Sequence, residues 1–76
     1  MLGKPKFNFG DKVACVFTDD NGEDYTVIGN VEIIDVWGTF EQNEEVSYDF
    51  LVKDWRGSGT PVFVKHIRES ELQKVD

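Results

Sequence analysis

Four carboxylates crowd into the stretch "DDNGED", where Asp19, Asp20, Glu23 and Asp24 surround Asn21 and Gly22. Side chains of this type at this spacing have three possible uses: oxygen ligands for a hard cation, a grip on a basic segment, or a hairpin tip whose charges stay in water. An EF-hand loop needs ligands at positions 1, 3 and 5, glycine at 6 and a bidentate glutamate at 12. Setting Gly22 at position 6 puts Asp19 and Asn21 in place but leaves Phe17 at the first position and Ile28 at the last. Neither can ligate, so tight calcium binding is not expected, and no metal or other cofactor is assigned. Asn-Gly is the dipeptide best suited to a type I′ turn, and Phe17 and Tyr25 flank it, so a hairpin tip is the simplest reading.

The remaining reactive side chains are few. His66 is the sole histidine, in "VKHIRE", and has no second histidine with which to form a metal or catalytic set. It reads as a strand-end residue with a satisfied ring. Cys15 is the sole cysteine and lies inside "VACVF", which excludes an internal disulfide and a cysteine zinc cage and favours a buried small hydrophobe. No phosphate-cradling glycine motif, nucleophile elbow or HExxH is present. No catalytic residues are assigned, and the chain is expected not to be an enzyme.

Charge and length narrow the partners. Fifteen acidic against eight basic side chains give a net charge of −7, which opposes binding to a phosphate backbone. Lys65, His66 and Arg68 make a small basic spot, with Glu69 and Glu71 beside it. No apolar run approaches the roughly 20 residues that cross a bilayer, and the N-terminus lacks a secretory apolar region, so no membrane partner is expected and the cytoplasm is the default location. Seventy-six residues that are 39% hydrophobic and 13% aromatic predict one folded domain, with residues 1–8 as an N-terminal arm and 9–75 as its body.

The elements that must position these groups are all strands. β-Branched and aromatic residues gather in short runs separated by Gly, Asn and Asp, and no convincing helical period appears. "KVACVF" alternates Val13, Cys15 and Phe17 against Lys12, Ala14 and Val16. "YTVIGNVEIIDVW" predicts a long second strand with Val27, Val31 and Ile33 in one phase, broken near Gly29 and the adjacent Ile33 and Ile34 by a bulge or bend. After the polar loop "TFEQNEE", "VSYDFLVKDW" turns Tyr48, Phe50 and Val52 one way and Ser47, Asp49, Leu51 and Lys53 the other. "RGSG" is a turn, "TPVFVKHI" a fourth strand, and Ser70 caps one short 3₁₀ turn over residues 70–72 before a last strand over 73–75.

"FGDKV", "GNVEII", "YDFLV" and "IRESEL" together resemble the recurring pattern of small free-standing SH3-like barrel proteins of bacteria and their phages, across nearly the whole chain. The resemblance implies an all-β fold: a small five-stranded antiparallel SH3-like barrel with one short 3₁₀ turn near the C-terminus. The chain carries neither the "ALYDY" nor the "SNYV" of signalling SH3 domains. SH3-like domains often place a ligand-facing aromatic where Trp37 stands. If the first hairpin folds over the barrel, Trp37 becomes an aromatic floor between acidic walls, suited to a basic or Pro-containing peptide. Trp55 is expected to face outward beside Leu51 as a partner patch, to be returned to the core by a bulge, or simply to cover the barrel rim. The candidate partner-binding set is therefore Asp19, Asp20, Glu23, Asp24, Tyr25, Trp37 and Trp55, in a module that binds a protein or peptide. The alternatives are a nucleic-acid-associated barrel of KOW or Tudor type, and a phage structural or DNA-mimicking inhibitor protein.

Overall fold

The computed structural model describes residues 1–38 and 44–76, so most of the expected "TFEQNEE" loop lies outside the described residues. Five antiparallel strands form one sheet: β1 (Lys12–Thr18), β2 (Asp24–Asp35), β3 (Ser47–Val52), β4 (Val62–Arg68) and β5 (Gln73–Lys74). Their order is β4-β3-β2-β1-β5. No ladder joins β4 to β5 among the described residues, so the sheet is not closed in the way a full barrel would require.

Two-residue alternation builds the core as expected from β1 and β3. Val13, Cys15, Tyr48, Phe50 and Val52 are buried on the inner face, together with Val27 and Val31 of β2. Phe7 joins them, packed edge-to-face on Tyr48 at 5.2 Å between ring centroids, so the N-terminal segment contributes to the core.

The length of β2 lets it serve two neighbours. Its first half pairs with β1 and its second with β3, and Asn30 sits opposite both Lys12 and Leu51. Gly29 stands at this crossover facing inward, where an added Cβ would lie 2.5 Å from the Leu51 carbonyl and 2.7 Å from the Phe50 ring. The glycine therefore permits close strand approach and does not interrupt the ladder, since Val13 still pairs with it. The break comes two residues later, as a bulge between Val31 and Ile33. That bulge turns Ile33 to the outer face, correcting its expected place in phase with Val27 and Val31, and packs Ile34 against the core instead.

The described residues contain two short 3₁₀ turns where one was expected. The first, Trp55–Gly57, occupies the "RGSG" connection, and the second is Glu69–Glu71. Ser70 lies inside the second turn and does not cap it; its N–H donates to Glu45 Oε1 at 2.6 Å. No helix of the described residues is long and apolar enough to cross a membrane.

Candidate functional site

The acidic tip owes its shape to two of its own acids. Asp19 pairs with Glu23 across the hairpin through a 2.9 Å backbone bond, and Gly22 N–H donates back to the Asp19 carbonyl at 3.0 Å. This leaves a three-residue loop in which Gly22 has φ +78° and Asn21 does not enter the positive region. The expected type I′ turn is therefore replaced by a wider turn in which one glycine takes the left-handed position. Asp19 Oδ1 accepts the N–H groups of Asn21 and Glu23, both at 2.9 Å, and Asp24 Oδ1 accepts the Thr18 hydroxyl at 2.7 Å. Asp20 and Glu23 project into solvent.

Behind the tip lies an aromatic cluster. Phe17, Tyr25 and Trp55 stack with centroids 6.0–6.1 Å apart, and Trp55 is partly buried against the core. Arg56, in the left-handed region at φ 53°, holds its guanidinium 4.0 Å over the Tyr25 ring. Trp55 thus turns back onto the first hairpin and does not form an outward patch with Leu51. The contact also places the tip at the same end of the sheet as the β3–β4 turn.

Trp37 stands at the other end of β2. It is 72% exposed, and its N–H donates to Asp35 Oδ1 at 2.9 Å. Asp19, Asp20, Glu23, Asp24, Tyr25 and Trp55 are therefore brought together, while Trp37 is separated from them by the length of β2. The groove that would need both acidic loops and Trp37 side by side is not formed by the described residues.

The end of the sheet near Trp37 is held by a polar knot. The Tyr48 hydroxyl donates to Glu69 and accepts the Phe7 N–H at 3.4 Å, and the Lys6 N–H donates to the same Glu69 oxygen at 3.0 Å. Burial first, and then the bond to Glu69, push the Tyr48 phenol up to about 12. The Ser70 N–H holds Glu45 below the usual carboxylate range.

The basic spot is engaged internally. His66 lies in a bulge at φ 61°, its N–H donating to Asp49 Oδ1 at 2.8 Å and its Nδ1 lying 3.5 Å from the same oxygen. The bulge sets two β4 residues against Asp49, which explains why Asp49 is buried although its phase predicted a wet face. Arg68 pairs with Glu71 at 2.8 Å, and that bond raises its affinity for its proton. Cys15 is buried, and burial pushes its thiol up, away from reactivity.

Two further surfaces stand out. On the outer face, Ile33, Leu51 and Phe63 from three adjacent strands surround a depression of about 400 Å³ with Glu32 at its rim. Leu51 and Phe63 are direct cross-strand partners, and Ile33 reaches this face only because of the bulge. Alternation of β3 pointed Leu51 outward, but nothing in the local pattern showed that Phe63 and Ile33 would meet it. The second surface is a groove of about 570 Å³ between the end of β1 and the Glu69–Glu71 turn with β5. Among the described residues, no group of three or more His, Cys, Asp or Glu side chains is placed to hold a metal ion.

No known family matches the chain, and neither a curated protein nor a solved structure does.

Proposed function

We propose that the chain is a non-enzymatic protein-interaction module of SH3-like design, acting in the cytoplasm on a protein or peptide partner. The SH3-like reading is supported by the bent β2 shared between β1 and β3, and by the 3₁₀ turn that leads into the short β5. The function rests on one observation: Ile33, Leu51 and Phe63 converge from three strands on an exposed depression. Phe63 is 42% and Ile33 48% exposed. Single surface hydrophobes need no explanation, but a contiguous group around a concavity is the usual mark of a docking surface. Trp37, 72% exposed just beyond the end of β2, is a further large aromatic open to a partner.

Nucleic acid is a poorer fit. Arg68 and His66 both face carboxylates, and the overall charge of −7 repels phosphates. An enzyme would need polar groups converging in a water-poor cleft, whereas this depression is shallow and mostly apolar.

The decisive experiment compares capture of partners from source-cell lysate by the wild type and by an Ile33→Ser/Phe63→Ser variant with an unchanged melt. Loss of the two anchors is expected to weaken the captured complex by about 2 kcal/mol or more, roughly thirtyfold in Kd. Identical partner sets, or no partner at all, would end this reading.

A further inference from the structure

We propose that the open edge of β1 is a strand-addition site for an extended, basic peptide segment of a partner protein. The inference rests on the interaction-module reading but uses a different surface from the outer-face depression.

The backbone phase of β1 identifies the edge. Asp19 N–H bonds to Glu23 across the first hairpin, and Val75 N–H bonds to the Lys12 carbonyl on the opposite side. In an antiparallel strand these directions alternate, so residues 13, 15, 17 and 19 bond toward β2 and residues 12, 14, 16 and 18 toward β5. β5 is only two residues long and covers Val13 and Ala14. Past Ala14 the chain leaves the edge for the Glu69–Glu71 turn. Val16 and Thr18 therefore present N–H and C=O groups toward the vacated side, where, among the described residues, the Val16 carbonyl accepts the weak Cys15 thiol at 3.9 Å.

A groove runs along this edge. Its volume of about 570 Å³ falls within the roughly 300–1,000 Å³ of small-ligand clefts. β1 forms one wall from Ala14 to Phe17, and Ser70, Glu71 and Gln73 form the other. Strand addition uses this arrangement: main-chain bonds to an exposed edge supply affinity, and neighbouring pockets receive alternate side chains.

The sheet's other edge is guarded and this one is not. β4 carries the His66 bulge, with Lys65 and Arg68 beside it, which are the standard means of blocking edge pairing. Residues 15–18 of β1 have no bulge, no proline and no charged side chain, and Val16 is 58% exposed. A continuous, bulge-free ladder with β2 also keeps this segment straight enough to template a neighbour.

Charge selects the occupant. A strand laid on this edge passes Glu71, whose charge Arg68 already meets, and runs on to the unpaired charges of Asp20 and Glu23 beside Asp19 and Asp24 at the tip. A second copy of this chain would pair Val16 with Thr18 in both directions, but would bring each acidic tip toward the other copy's Glu71 and join two bodies of charge −7. A segment carrying Lys or Arg meets those acids favourably. It must also lack proline at the bonding positions, because each needs an N–H.

The probe is a synthetic peptide alternating Lys and Val, of about six residues, the usual strand length. Amide exchange of the free, full-length protein should be fast at Val16 and Thr18. Saturating peptide should slow both by about tenfold or more while Cys15 and Phe17, already bonded to β2, change little. The same peptide N-methylated at alternate amides, and one with Glu for Lys, should give no protection. Val16→Pro removes an edge N–H without touching the β2 ladder; it should keep the melt and weaken the Lys-Val peptide by about tenfold. Protection that rises with protein concentration alone would assign the edge to a second copy and overturn the proposal. Shifts centred on Ile33 and Phe63 would overturn this site while leaving the interaction reading standing. No shift at millimolar peptide would also end it.

Discussion

Each end of the sheet carries a tryptophan, and the two are held in opposite ways. At the end that carries the acidic tip, Trp55 contacts Phe17 and Tyr25, and Arg56 closes over the tyrosine. At the other end Trp37 stands in water, while Tyr48, Glu69 and Phe7 tie the chain together without it. The difference separates two tasks. One end is closed by aromatic packing, and the other by a hydrogen-bonded knot that leaves its large aromatic exposed.

Removing each tryptophan is the sharpest test of that contrast. Trp55→Ala should lower unfolding free energy by about 2–3 kcal/mol, less than a fully buried tryptophan because the ring is only partly covered. Trp37→Ala should stay within about 0.5 kcal/mol. Urea unfolding of both variants decides, and equal losses would erase the distinction between the two ends. If Trp37 extends the outer-face surface, its variant should still weaken partner capture despite its unchanged stability.

Next in size is Tyr48→Phe, which keeps the ring against Phe7 and removes only the hydroxyl. Glu69 then loses a donor and the Phe7 N–H an acceptor, at a cost of about 1–2 kcal/mol. The pH dependence follows from the phenol's rise from 10 to about 12 on folding. Below the unfolded value the neutral phenol contributes its full stabilisation; as pH rises from 10 toward 12 the unfolded chain ionises first and that contribution is lost. The stability gap between wild type and Tyr48→Phe should therefore be flat up to about pH 10 and close above it. A gap that persists unchanged to pH 12 would mean that neither burial nor the Glu69 bond favours the neutral phenol in the folded chain.

Much of the fold was legible because two-residue alternation is a local property. Val13 with Cys15, and Tyr48 with Phe50 and Val52, announce their faces without knowledge of any neighbour, and the five strands fall close to the expected positions. What depends on a partner strand was not legible. Asn21-Gly22 favours a type I′ turn in a two-residue loop, but the Asp19–Glu23 bond makes the loop one residue longer. Ile33 changes face because a bulge absorbs Glu32, and Asp49 is buried because β4 bulges over it. Trp55 packs on Phe17 and Tyr25 across the sheet, a contact made by the first hairpin and not by its own strand, and Arg56 beside it takes the left-handed region, a conformation that the glycine-rich turn did not foretell for an arginine. The candidate site was read for its acids and tryptophans, whereas the apolar depression around Ile33, Leu51 and Phe63 emerges only when three strands are in register.

The smallest expected effect lies in the acidic tip, where two adjacent aspartates do different things. Asp19 accepts two backbone N–H groups and so shapes the turn, whereas Asp20 is exposed beside it. Replacing either by alanine removes the same unit of negative charge, so the general relief of a −7 chain is common to both. Any difference between them reports the hydrogen bonds alone. Asp19→Ala should cost about 1 kcal/mol and speed amide exchange at Asn21 and Glu23, while Asp20→Ala should stay within about 0.5 kcal/mol. If the peptide proposed for the β1 edge reaches the tip, Asp20→Ala should still weaken its binding and flatten the salt dependence, because an exposed charge acts through steering and screening rather than through geometry. Equal stability losses in the two variants would show that the turn holds itself and that Asp19 is, like its neighbour, only charge.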